Sequence, residues 1–126
     1  MIKTESVKRV YGLEERTSLF AEKIIDFAKT LDKNEVSRPL ISQFVKSGTS
    51  IGANYMEATA GESKKDFIHK IGIARKESKE SAYWMRMIMR LFPLRQKECQ
   101  ELHSEAKEFV LIFSAIIKNS RKSGVS

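Results

Sequence analysis

FIHKIGIARKESKESAYWMRMIMRLF, the run from Phe67 to Phe92, is where the fold is decided. Phe67, Ile71, Ala74, Ser78, Ser81, Met85, Ile88 and Phe92 recur at alternating steps of four and three, which brings side chains to one side of a helix with about 3.6 residues per turn. A strand would need strict alternation of apolar and polar residues, and no part of the chain sustains it. Upstream, Ser63 and Asp66 have the spacing of a capping box, with aspartate where Glu or Gln is usual. Downstream, Pro93 lacks an N–H and ends the pattern. One helix is predicted over 63–92.

The same steps recur on either side. Leu13, Thr17, Phe20, Ile24, Phe27 and Leu31 predict a helix over 13–31. Ile41, Phe44, Gly48, Ile51, Tyr55 and Ala58 predict another over 38–60, entered through Ser37 and Pro39 and stopped at Gly61. Leu102, Ala106, Phe109, Phe113 and Ile116, flanked by Val110 and Ile117, predict a last helix over 95–120. Short links between amphipathic helices favour antiparallel neighbours. The expected fold is all-α, an antiparallel up-down four-helix bundle at 13–120. An N-terminal extension at 1–12 precedes it and a flexible polar tail at 121–126 follows. No internal repeat is present.

Two helices carry a second pattern. Gln43, Ser47, Ser50, Asn54 and Glu57 form a polar seam beside the apolar stripe of the second helix. Asp66, Lys70, Ile73, Glu77, Glu80, Trp84 and Met87 do the same on the third. Gly48 and Gly52 also need a reason, because glycine inside a helix costs about 1 kcal/mol relative to alanine. With Ser47, Ser50 and Ala53 they suit close approach of another backbone. The candidate subunit interface is therefore Gln43, Ser47, Ser50, Asn54, Glu57, Asp66, Lys70, Glu77, Glu80 and Trp84. The competing reading is tight packing inside one bundle beside a solvated polar face. Trp84 reads as a core or interface anchor before it reads as a base-stacking platform, which usually needs several exposed aromatics.

Length and composition narrow the class. The chain has 126 residues, enough for one core without staples; it is 41% hydrophobic and 31% charged, with two prolines and six glycines, which suits a water-soluble helical protein better than a disordered chain or a β-sandwich. Cys99 is alone, so no internal disulfide or paired-cysteine zinc site is available, and a reducing cytoplasm is the expected compartment. The first ten residues mix Lys3, Glu5, Lys8 and Arg9 with apolar residues and lack a signal-peptide core. No run approaches the roughly 20 apolar residues of a membrane span.

Net charge is +7, and the stretch from Lys64 to Lys97 holds ten basic residues against Asp66, Glu77 and Glu80, which equals the whole of it. Such a concentration suits a polyanion. The candidate nucleic-acid contacts are Lys64, Lys65, Arg75, Lys76, Lys79, Arg86, Arg90, Arg95 and Lys97, with Lys118, Arg121 and Lys122 as possible additions. The competing reading is a merely soluble helical surface.

Chemistry for catalysis is not legible. Gly48 to Gly52 reads GTSIG, which has two glycines but neither the Gly-Lys-Ser/Thr ending of a phosphate loop nor a strand before it. His69 and His103 fall on different predicted helices without metal-ligand spacing. Glu57 with Glu77 or Glu80 makes a conceivable acid-base pair, but bundle carboxylates are usually solvated or ion-paired. No catalytic, cofactor or metal residue is expected, and no enzyme activity.

VKSGTSIGANYMEA (Val45 to Ala58) followed by KDFIHKIGIARKESKESAYW (Lys65 to Trp84) resembles the four-helix-bundle family of proteins encoded in 23S rRNA intervening sequences. The family-like positions are Ser47, Gly48, Ser50, Gly52, Asn54, Tyr55, Glu57, Asp66, Phe67, Lys70, Glu77, Glu80 and Trp84; the outer helices match only as amphipathic patterns. The resemblance implies a ring-like homo-oligomer, a pentamer, with a basic surface. It also implies likeness to accessory proteins of diversity-generating retroelements, which associate with nucleic acid and a reverse transcriptase. Two functions follow as expectations: an RNA-binding or other nucleic-acid-binding accessory protein, or a protein-interaction scaffold.

Overall fold

The computed structural model describes residues 12–123. Four helices account for nearly all of them: α1 (Leu13–Lys29), α2 (Ser37–Thr59), α3 (Lys64–Leu91) and α4 (Gln96–Ser123), with a 3-10 turn at Pro93–Arg95 between the last two. There is no strand among the described residues. The expected N-terminal extension, apart from Gly12, and positions 124–126 of the expected tail lie outside the described residues.

Local chemistry explains most helix ends. Ser63 caps α3 in an extended conformation, its Oγ accepting the Asp66 N–H at 3.0 Å as the spacing predicts. At the start of α2 the predicted entry through Ser37 is corrected. Asn34 does the capping, its Oδ1 accepting the N–H groups of Val36 and Ser37 at 2.9 Å each. Ser37 is buried and instead donates its hydroxyl to the Asp32 carbonyl at 2.8 Å. Gly61 lies one residue past the cap residue Ala60, and no described glycine adopts the left-handed conformation of a glycine stop. The first helix ends at Lys29, short of Leu31, where Lys33 Nζ donates to the carbonyls of Ala28 and Leu31 at 3.0 Å. Leu31 remains buried. The last helix runs past position 120 to Ser123, with Ile117 rather than Ile116 in the core and Arg121 and Lys122 in a last turn whose exposed carbonyls favour cations.

Pairs of residues across the seams fix the antiparallel up-down order. Phe27 meets Phe44 edge to face between α1 and α2, with ring centroids 6.3 Å apart. Ser81 Oγ donates to Ser47 Oγ at 3.2 Å between α3 and α2. Arg75 of α3 reaches Ser114 of α4 at 3.5 Å. Phe20 of α1 and Phe109 of α4 are edge to face at 5.4 Å, and Tyr55 of α2 lies 6.1 Å from Phe113 of α4. The four stripes therefore close on one core, in which Phe20, Phe44, Phe109 and Phe113 are fully enclosed. Packing follows chain order, and α1 and α4 are the loosest pair.

Candidate nucleic-acid interface

The α2 glycines, and Ser47 of the predicted seam, face other helices of the same bundle. A Cβ on Gly48 would lie 2.9 Å from Ile24 Cγ1, and one on Gly52 would lie 3.1 Å from Thr17 Oγ1. The glycines thus let α1 approach α2 inside one subunit, and the close-approach expectation holds for a sister helix of the same chain. Ser47, placed in the candidate subunit interface, is 2% exposed and bonded to Ser81 and to the Phe44 carbonyl. It belongs to the bundle interior, a correction to its predicted place. Ser50 and Asn54 are half-buried and satisfied within their own helix, Ser50 Oγ donating to Lys46 O at 2.6 Å and Asn54 Nδ2 to Ser50 O at 2.9 Å. Glu57 and Lys70 pair at 2.6 Å across α2 and α3.

What remains of the second stripe is on α3. Lys70, Ile73, Glu77, Trp84 and Met87 are all half-buried, whereas Gln43, Asp66 and Glu80 are exposed. Burial and the neighbouring Glu80 hold the Glu77 carboxyl above its ordinary range. Trp84 packs on the core's edge and meets the exposed Tyr83 ring edge-on at 4.9 Å.

The basic residues divide by direction. Along α3, Arg75, Lys79, Arg86 and Arg90 fall on one side by their spacing, and along α4 so do His103, Lys107, Ser114, Lys118 and Arg121. Antiparallel packing sets these sides together. One cleft between α3 and α4 is lined by Arg75, Ser114, Lys118, Arg121 and Lys122, among others. A second, farther along the same seam, is lined by Lys79, Tyr83, Arg86, His103, Lys107 and Leu111, among others. Neither cleft has a carboxylate in its lining. Burial, with Lys107 and Arg86 beside it, pulls the His103 imidazole below its ordinary range.

Other predicted contacts are elsewhere. Lys64 and Lys65 are exposed at the start of α3, and Lys76, Arg90 and Lys97 are exposed outside both cleft linings. Arg95 is committed internally: it pairs with Glu98 at 2.6 Å, donates to Thr30 Oγ1 at 2.9 Å and lies 4.8 Å above the Phe27 ring. Of the α4 cations, Lys97, Lys118, Arg121 and Lys122 were among the expected contacts, whereas Lys107 and the neighbouring His103 were missed, because in the sequence they alternate with Glu101, Glu105 and Glu108.

Those carboxylates point the other way. A cleft of about 760 Å³ between α1 and α4 is lined by Asp26, Glu98, Glu101, Glu105 and Glu108 with Phe20 and Phe27 below, and Lys23 and Arg95 are the cations among its lining residues. Arg16 spans α1 to α4, paired with Glu105, bonded to Glu108 at 3.1 Å and stacked 5.1 Å over Phe109. One helix thus turns an acidic side to α1 and a basic side to α3.

Among the described residues no three His, Cys, Asp or Glu side chains group as metal ligands, and no helix is long and apolar enough to cross a membrane. Cys99 is buried in the core, and that burial pushes its thiol up to about 11.

Comparison with known proteins agrees with this architecture. No curated protein matches the chain. A solved structure from Bacteroides thetaiotaomicron VPI-5482, described as a protein with unknown function from the S23 ribosomal protein family, is 31% identical. It matches 83% of this chain and 97% of its own length with a TM-score of 0.76. Residues 13–115, all four helices but the end of α4, match the family described as 23S rRNA-intervening sequence protein. The chain, with its four-helix fold and its glycine-bearing second helix, belongs to the 23S rRNA-intervening sequence protein family.

Proposed function

We propose that this protein is a non-enzymatic accessory factor that binds RNA or another nucleic acid through the α3–α4 face and does so as a homo-oligomer. One observation carries the reading: cations from two helices line two clefts along the α3–α4 seam, neither with a carboxylate in its lining, while Glu98, Glu101, Glu105 and Glu108 of α4 line the cleft towards α1. A face kept soluble by charge alone needs no such sorting, since mixed signs serve solubility equally well. Phosphate neutralisation then supplies affinity that falls steeply with salt. Self-association is supported by Ile73 and Met87, which are half-buried on α3 without packing on the core. The likeness to the ring-forming bundles described above makes a pentamer the expected assembly.

Binding of a structured RNA, measured from low to raised salt, tests the reading. Affinity that falls linearly on logarithmic axes supports it, and no binding at the low-salt end removes it. Light scattering tests assembly against the monomer mass of 14.4 kDa.

A second reading, a protein-interaction scaffold, is favoured by the α1–α4 cleft, whose acidic rim and aromatic floor suit a basic amphipathic segment of another protein. A partner retained after nuclease treatment favours it over the first.

A further inference from the structure

We propose that the α3–α4 cleft around His103 binds one nucleotide unit of a nucleic-acid strand, with Lys79, Arg86 and Lys107 on the phosphodiester and Tyr83 and Leu111 against the base. This rests on the nucleic-acid reading above and gives it a place and a chemistry. Six side chains carry it. Lys79, Tyr83 and Arg86 come from α3, and His103, Lys107 and Leu111 from α4. Every fully charged group in the lining is a cation. Beside them Tyr83 is 54% and Leu111 70% exposed, an apolar shoulder that a bare inorganic anion would not use. The Trp84 ring packs against the Tyr83 ring at 77°, their centroids 4.9 Å apart. A phosphate held by cations next to an exposed aromatic is the arrangement that grips single strands, because every base has a face to stack.

His103 makes the site report on its own occupancy. The imidazole is half-buried, with Lys107 facing it from its own helix and Arg86 from α3, and no carboxylate in the cleft offsets them. Both cations and the burial oppose its protonation. A phosphodiester seated among the three cations brings a negative charge that cancels this opposition, and the protonated ring offers two N–H donors where the neutral ring offers one. The imidazole therefore takes up a proton as the strand binds. By linkage the strand binds more tightly as pH falls, about tenfold for each unit by which binding raises the imidazole pKa.

The test uses the full chain and a six-nucleotide oligouridylate, whose phosphodiesters stay ionised between pH 5 and pH 8 (about the range over which histidine titrates). The Hε1 resonances of His69 and His103 are followed through this range by NMR, with and without the oligonucleotide. The expected result is a rise in the His103 midpoint on binding while that of His69, exposed near the start of α3, stays in place. In His103→Gln the strand still binds, and its affinity no longer changes with pH. An unmoved His103 midpoint, an equal shift of both histidines, or a pH dependence that survives His103→Gln would each overturn the proposal. The two readings fail separately. Salt-dependent binding of structured RNA with His103 unmoved removes this site and leaves the broader function, whereas binding of neither the structured RNA nor the oligouridylate removes the broader function itself.

Discussion

Gly48 of α2 sits so close to Ile24 of α1 that a methyl group on its Cα would lie 2.9 Å from Ile24 Cγ1 and 3.1 Å from Cγ2. Ile24 is fully buried and β-branched, so it has little freedom to retreat. Gly72 on α3 is the internal control, since nothing lies within 4 Å of the Cβ it lacks. Overpacking costs about 1–3 kcal/mol, against about 1 kcal/mol gained from helix propensity. Gly48→Ala is therefore expected to lose up to about 2 kcal/mol, while Gly72→Ala gains about 1 kcal/mol. Urea unfolding of the two variants separates them by sign. Equal effects would show that the α1–α2 approach is looser than its geometry.

Ser63 is expected to matter through a single bond. Its hydroxyl accepts the Asp66 N–H at 3.0 Å, and Ser63→Ala leaves that donor to water at a cost of about 1 kcal/mol. Ser63→Asp keeps the acceptor and is expected to keep the stability. Thermal unfolding of the pair distinguishes a cap from a generic surface serine.

Glu77 carries a pH signature. Its folded carboxyl titrates above the ordinary range because of burial and Glu80. The folded state therefore holds that proton more firmly than the unfolded chain. Its contribution is fully present below the unfolded pKa and is lost as pH rises through the folded one. Glu77→Gln is expected to stabilise the protein at pH 7 and to lose that advantage in acid. A gain of equal size at both pH values would contradict the assigned cause.

Cys99 is expected to be silent in the native protein. Burial in the core and a thiol pushed up to about 11 leave almost no thiolate near neutrality. A thiol reagent at pH 8 should react at the rate of unfolding and at full speed in denaturant. Fast native labelling would mean that α4 opens locally.

The far end of the basic seam offers a test by charge. Lys118→Ala is expected to weaken RNA binding alike for all sequences and to lower the salt slope by about 1. Lys76→Ala, outside both clefts on α3, is expected to leave the slope unchanged. Native mass and unfolding of both variants check that the bundle is intact.

Helix positions and inward stripes were legible in the amino-acid order because both rest on a period of about four residues, which is local. Phe67 to Phe92 shows this: of the eight residues of its stripe, Ile71, Ala74, Ser78, Ser81, Met85 and Ile88 are buried and the two end residues, Phe67 and Phe92, are half-buried against the core. The capping pair Ser63 and Asp66 is equally local. The meaning of the second stripe was not legible, because Ser47 reads the same whether it meets Ser81 of its own chain or a second subunit. Only the packing of α3 on α2 decides that. The basic region shows the same limit. Ten cations between Lys64 and Lys97 look like one patch when written in a line, yet each step along a helix turns by about 100° and scatters them around α3. The antiparallel return of α4 selects Arg75, Lys79 and Arg86 and sets Lys107, Lys118 and His103 beside them. Periodicity is a property of the chain, whereas a cleft is a property of two helices from distant parts of it, and their pairing is decided only when the core closes.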